Sequence, residues 1–234
     1  RRLGVALGQI RHGTDVTSTA YDHGYDSQSG FNAAFRQLFG DPPTEARRNG
    51  PMVTVNRVLT PLGPMLVGAV DEGLCIAEFV DRRMLSTQLE RLRRHLGRPV
   101  IPGDHPIIAR ASVELDEYFE GRRSEFSVPL VDPGSGLQRA VWEALREIPY
   151  GATVTYGEIA RRIGRPGAAR AVGRAVGDNR LAIVLPCHRV VGADGRLTGY
   201  GGGLWRKQRL LELEARVLGG KQDEPGGTRP RPVG

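Results

Sequence analysis

The sequence predicts an α/β chain of the α+β kind, built in three segments with a tail, and three observations point to it. Residues 1–49 read as helical; residues 50–131 open on strand-like apolar runs and then change to helical spacing; residues 134–217 set short helical patterns around Leu185-Pro186-Cys187-His188-Arg189-Val190. The 234 residues suffice for one large domain or two small ones. The net charge is +7 and arginine outnumbers lysine, which suits phosphate contact, although an excess of charge also describes an ordinary solvated surface. No apolar run approaches the roughly 18 residues of a membrane span, and no apolar leader opens the chain, so a cytoplasmic location with no membrane partner is expected. With no initiator methionine, it reads as a fragment or a processed chain. Two cysteines, Cys75 and Cys187, allow neither a disulfide framework nor a CxxC pair, and fit a reducing compartment.

In the front segment, residues 16–22 form a short helix, 24–27 a turn and 29–39 a second helix. Phe31, Phe35 and Leu38 recur at helical spacing and should face a core. Ser27 or Ser29 can cap the second helix. Two short helices across a turn make a helix-turn-helix, a pattern that many helical hairpins share.

In the second segment, residues 52–59, 64–70 and 73–80 read as strands and 84–96 and 106–120 as helices, with a further strand at 125–128. Cys75 falls in a core strand and reads as a small buried hydrophobe. His95 and His105 lie near element ends and are expected at the surface.

In the third segment, 137–147 and 156–163 read as helices, 164–167 as a turn, and 168–177 as a helix leading into a cysteine-bearing strand. A hairpin-like turn at 191–195, a glycine-rich loop at 198–203 and a closing helix at 204–216 follow, and residues 219–234 are expected to be a disordered tail. The helices flanking 164–167 make a second helix-turn-helix. Its second helix carries Ala168, Ala169, Ala171, Gly173, Ala175 and Gly177, with Arg170 and Arg174 four apart on one face. So slim a helix suits a minor groove about 6 Å wide, and equally suits tight packing on another helix. The glycine loop offers backbone N–H groups for a polar ligand, or is a plain connector.

A bare Cys-His pair reads as an inert thiol beside a surface histidine, but the surroundings argue for chemistry. Attack requires a sulfur held in line with its target, and Pro186, with its fixed φ, is a mount for it. The thiolate is the nucleophile, so the imidazole of His188 supplies the base or cation that favours it. A carboxylate bonded to that imidazole would orient it; Glu214 is the candidate, though spacing also allows it to face solvent.

Ile-Val-Leu-Pro-Cys-His-Arg-Val-Val at 183–191, Asn179 before it, Tyr156 in Thr-Tyr-Gly-Glu-Ile-Ala, Arg170 in Ala-Ala-Arg-Ala-Val-Gly, and the Tyr-Gly-Gly-Gly-Leu loop together resemble the O6-alkylguanine-DNA alkyltransferases over residues 51–217. Residues 20–40 resemble the second helix-turn-helix of AraC-type transcription regulators. In that order the chain is similar to the C-terminal part of Ada-type response proteins, without their four-cysteine zinc domain and first helix-turn-helix; phosphotriester repair and methyl sensing are therefore not implied.

The resemblance implies a ribonuclease-H-like fold for residues 50–131 and a winged-helix-like domain for 134–217. It implies that Cys187 takes the alkyl group of O6-methylguanine, and of O4-methylthymine, in one irreversible turnover, with no cofactor and no metal. The expected partner is double-stranded DNA bound through its minor groove by a monomer. Arg170 would fill the gap left by a flipped base, on a helix that also presents Ala169 and Arg174. Tyr156 would donate to a ring nitrogen, the carbonyls of Cys187 and Val190 would accept from the exocyclic amine, and Tyr200 and Gly201 would line the pocket, with the Gly201 N–H reaching O6. Relatives often carry serine at position 201. Asn179 would brace the turn into the cysteine segment, and His188, held by Glu214, would deprotonate Cys187 through a water. Three other readings predict different outcomes: a transcription regulator binds an operator, a lesion binder lacks the acceptor cysteine, and a cysteine hydrolase separates its Cys and His in sequence.

Overall fold

A computed structural model describes residues 2–11, 13–39, 42–44 and 52–222. At the front, α1 (Arg2–Arg11), α2 (Val16–Asp22) and α3 (Gln28–Phe39) close around Ala6, Ile10, Val16, Ala20, Phe31 and Phe35. Asp15 caps α2 by accepting from the N–H groups of Thr17 and Ser18 at 2.8 and 3.1 Å. Ser27 caps α3, its Oγ accepting from Gly30 N–H at 3.1 Å, as the sequence offered. Phe31 and Phe35 face the core as their spacing required; the Leu38 side chain lies outside what is described. The sequence did not single out α1, because Gly4 and Gly8 dilute its helical signal. Gly4 is there for contact: a Cβ on it would lie 2.7 Å from the Pro102 carbonyl oxygen.

The middle segment forms a four-stranded sheet in the order β3-β2-β1-β4, from β1 (Val53–Val58), β2 (Met65–Val70), β3 (Gly73–Phe79) and β4 (Val100–Pro102). Strands β1 to β3 are an antiparallel meander, and β4 runs parallel to β1. Helix α4 (Leu85–Leu96) brings Leu92 into a cluster with Val55, Cys75 and Ile76. Helix α5 (Pro106–Phe119) brings Ala111, Leu115 and Tyr118 into the main core with Met65, Val67, Ala69 and Leu74. Fully burying side chains of this size stabilises the fold by about 1.5–3 kcal/mol each. Cys75 is fully buried, and burial pushes its thiol up to about 12, so it is the inert hydrophobe expected. His95 is exposed, whereas His105 caps α5 by accepting from Ile107 N–H at 3.2 Å.

One expectation for this segment fails and one strand goes unread. Residues 125–128 form no strand: the Glu114 carboxylate takes the N–H groups of Ser127 and Val128 at 2.8 and 3.1 Å, the groups a ladder would need. Strand β4 was missed because three residues ending in proline carry almost no periodic signal.

The third segment stacks α6 (Gly136–Arg146), α7 (Tyr156–Arg162) and α8 (Ala169–Gly177) around Trp142, Ile159, Val172 and Val176, with the Trp142 indole donating to the Ala175 carbonyl at 2.9 Å. Capping boxes start α6 (Ser135, Gln138) and α7 (Thr155, Glu158). Gly164 and Gly167 turn between α7 and α8 at φ 68° and 87°, a region that favours glycine. Short strands β5 (Val154–Thr155) and β6 (Val190–Val191) pair in parallel. The turn after β6 is closed by Gly192 N–H donating to Arg196 O at 2.9 Å, but no second hairpin strand follows among the described residues. Helix α9 (Leu204–Gln222) runs past the expected end at 216, so residues 219–222 are helical rather than tail. Two glycines do not break a helix already anchored by Leu210 and Leu213. The rest of the expected tail, 223–234, lies outside the described residues.

Candidate active site

The cysteine segment is held irregular rather than extended. Ala77 N–H of β3 donates to Arg180 O, and Ala182 N–H donates back to Ala77 O, both at 2.8 Å, which pins residues 180–182 to the sheet edge. The chain then turns at Ile183, whose φ of 73° is strained for a β-branched residue and costs about 1–3 kcal/mol. Pro186 leads into a 3₁₀ turn, Cys187–Arg189, so the expected cysteine strand is a turn. Asn179 offsets the strain: its Oδ1 accepts from Leu181 N–H at 2.9 Å, and its Nδ2 donates to Leu185 O and to Cys187 Sγ, both at 3.1 Å.

His188 is fully buried, with Nε2 2.8 Å from Glu214 Oε1. That carboxylate also accepts from the Tyr118 hydroxyl at 2.7 Å, from Gly151 N–H at 2.8 Å, and from Arg189 Nη2 at 2.9 Å. Burial alone would raise the Glu214 carboxyl, but hydrogen bonds from His188 and Arg189 and the charge of the Arg189 guanidinium outweigh it and hold it at about 2. An ionised Glu214 assigns the His188 proton to Nε2, leaving the Nδ1 lone pair without a partner among the described residues. Burial lowers the imidazole pKa more than Glu214 raises it, so the ring is a neutral base. Burial also pushes Cys187 up to about 11, against a lowering by the Asn179 hydrogen bond. The resting site therefore holds a neutral thiol, a neutral imidazole and a carboxylate, and its thiolate must form during reaction.

That state has a measurable consequence. Against an ordinary thiol near 9, a two-unit rise leaves roughly a hundredfold less thiolate below pH 9. Carboxamidomethylation of Cys187, followed by peptide mass, should be slowed at least to that extent at pH 8 and should keep accelerating above pH 9. A rate already level by pH 8 would contradict the assignment.

Helix α8 divides its faces. Val172, Ala175 and Val176 are buried, while Arg170 and Arg174 are exposed and Ala169 is half-buried. Both readings of the small residues thus find support: the inner ones pack, and the outer face stands clear under two cations. Tyr156 is half-buried at the start of α7, its hydroxyl donating to Thr198 O at 3.4 Å. Tyr200 turns a buried hydroxyl, with no partner among the described residues, toward the interior, and Gly201 is exposed in the loop beside it. Val190 is buried, and its carbonyl accepts from Lys207 Nζ. Lys207 also donates to Thr198 O at 2.6 Å, and burial lowers its ammonium to about 8.

The fold therefore gathers Cys187, His188, Glu214, Asn179, Val190 and Tyr200 around one buried centre, with Tyr156 and Gly201 at the loop and Arg170 and Arg174 on an outer helix face. Sequence reasoning missed Tyr118, Arg189, Lys207 and Arg82. Arg189 stood in the motif itself, and Lys207 was visible as a lysine in an arginine-rich chain; Tyr118 and Arg82 sit in the second segment and carried no signal.

Residues 58–131 match the family description 6-O-methylguanine DNA methyltransferase, ribonuclease-like domain, and residues 136–216 match its DNA binding domain. Residues 1–49 match a helix-turn-helix domain. A methylated-DNA–protein-cysteine methyltransferase of Mycobacterium bovis is 45% identical over 163 residues, 70% of this chain and 93% of that protein. One from Methanosarcina acetivorans is 43% identical over 159 residues, 66% of this chain and 94% of that protein. The crystal structure of Mycobacterium tuberculosis OGT in complex with DNA superposes with a TM-score of 0.61 at 43% identity, covering 70% of this chain and 94% of that one. Matched over both domains and 45% identical to a relative of which it covers 93%, this chain belongs to the methylated-DNA–protein-cysteine methyltransferase family.

Proposed function

We propose that this protein repairs DNA by moving the methyl group of O6-methylguanine, and of O4-methylthymine, onto its own Cys187, once per molecule. The observation that carries this reading is the buried set around one sulfur: Asn179 Nδ2 on Cys187 Sγ, and an adjacent His188 whose Nε2 is held by an ionised Glu214. The exposed face of α8 enters the minor groove, Arg174 takes a phosphate, and Arg170 fills the stack vacated by the flipped nucleotide, while Ala169 keeps the helix slim. O6-alkylation removes the ring N–H of guanine and weakens its pairing, so the lesion is the base that leaves most cheaply.

In the pocket, the Gly201 N–H reaches O6, the carbonyls of Cys187 and Val190 receive the exocyclic amine, Tyr200 closes one wall, and Tyr156 donates to a ring nitrogen. His188 Nδ1 takes the thiol proton through a bridging water, and the imidazolium is paired with Glu214. The S–C bond forms as the C–O6 bond breaks, and the proton ends on guanine, which leaves neutral. The product is a thioether with no leaving group, so the molecule stops. Neither cofactor nor metal enters any step. The protein acts as a monomer in the cytoplasm.

Given excess methylated duplex, the native protein should repair one lesion per chain and no more. Arg170→Ala should slow repair of duplex by about tenfold, the scale of one lost close contact of roughly 1.4 kcal/mol, while reacting with the free base O6-benzylguanine at near-native rate. Equal losses on both substrates would remove Arg170 from flipping, and continued turnover would remove the mechanism.

A further inference from the structure

Arg82 leaves the end of β3 and is buried in the third segment, where it meets three parts of the site at once. Its Nη1 donates to the Glu78 carboxylate and to Asn179 O at 2.9 Å; its Nη2 donates to Gly177 O at 2.6 Å. Those two carbonyls end α8 and begin the turn whose next side-chain contact is Asn179 Nδ2 on Cys187 Sγ. Gly201 lies on the other side of the guanidinium. A Cβ placed there would stand 2.6 Å from Arg82 Cζ and 2.9 Å from both Nε and Nη1, closer than side chains approach. The obstacle is not a free side-chain end, because three hydrogen bonds hold the fork in place.

We propose that Arg82 is a positioning residue for the transfer reaction: it fixes the Asn179 turn against Cys187 and fills the volume a side chain at position 201 would need, so that positions 82 and 201 are one steric unit. This rests on the proposed role of Cys187 as acceptor. The Gly201 loop is supported from the sheet side by a cation borrowed from another segment, and Glu78 compensates that cation in the interior.

The test is a double-mutant cycle on the full chain, read as the single-turnover rate on methylated duplex. Gly201→Ala in the native background should slow transfer about tenfold or more, and in an E78Q/R82A background by less than about twofold relative to that parent, because contacting residues are non-additive. Asn179→Ala should likewise cost less in E78Q/R82A than in the native chain, and the move of the rate–pH curve to higher pH that Asn179→Ala causes in the native chain, by removing a hydrogen bond that lowers the Cys187 thiol, should be smaller in E78Q/R82A. Should E78Q/R82A fail to fold, Arg82→Lys keeps the charge beside Glu78, withdraws the fork, and carries the same comparison. A Gly201→Ala chain that reacts normally, equal slowing in both backgrounds, or additive losses with Asn179→Ala would each overturn the proposal. Loss of all transfer by the native chain would instead strike the reading of Cys187.

Discussion

Cys187→Ala should abolish methyl transfer while leaving duplex binding within about twofold and the fold intact. The chemical loss is total because no other group at the site can attack; rates should fall by about 10⁴-fold or more, as when a nucleophile is deleted from a working set. The structural loss is small. Removing one buried sulfur costs about 1 kcal/mol, near the low end of core truncations. Asn179 Nδ2 keeps Leu185 O at 3.1 Å and Leu181 O at 3.5 Å as acceptors for its two N–H groups. The exposed Arg170 and Arg174 lie on a different element, so a gel-shift titration with methylated duplex should give a near-native Kd. Weakened binding that tracks lost transfer would mean that the sulfur supports the fold and that its chemistry has been misread.

Glu214→Gln should be the most destabilising single change at the site, by about 3–5 kcal/mol, because it strands the buried Arg189 guanidinium. An amide cannot replace this carboxylate. Oε1 receives Tyr118, His188 and Arg189, and Oε2 receives Gly151 and Arg189, so an amide NH₂ at either position faces donors. Transfer should slow as well, since His188 loses the acceptor that fixes its tautomer. The sign of the pH effect follows from the depressed carboxyl. Its folded value of about 2 lies below the ordinary 4.5, so its stabilisation is fully present above pH 4.5 and is lost as pH falls through 2. The shift corresponds to about 3 kcal/mol. Urea melts of native and Glu214→Gln chains should differ by roughly 2 kcal/mol less at pH 3 than at pH 7. An unchanged gap would show that Glu214 does not carry the acid dependence.

Much of the site was legible before the fold because it is local. Pro186, Cys187, His188 and Arg189 are neighbours in the chain, and the helix carrying Arg170 and Arg174 announces itself by four-residue spacing and small side chains. The helices expected at 137–147 and 156–163 lie within a residue or two of those bounds, and the structure starts them on capping boxes at Ser135 and Thr155. What escaped was set by contacts between distant residues. Residues 125–128 look like a strand until Glu114, thirteen and fourteen positions away, takes the N–H groups of Ser127 and Val128. The cysteine segment looks like a strand until Asn179 and Ile183 bend it. The thiol beside a histidine looks anionic until burial is counted, and burial holds the resting sulfur protonated. Tyr118 and Arg82 act on the site from a segment with no motif, and only the fold brings them there.

The acceptor role of Cys187 is tested most directly by peptide mass after the protein has met an excess of O6-methylguanine duplex. The account predicts that the peptide bearing Cys187 is heavier by one methyl in place of one hydrogen, in amount equal to the lesions removed, with the Cys75 peptide unchanged. Lesions repaired while the Cys187 peptide keeps its native mass, or repaired in numbers beyond the number of chains, would contradict it.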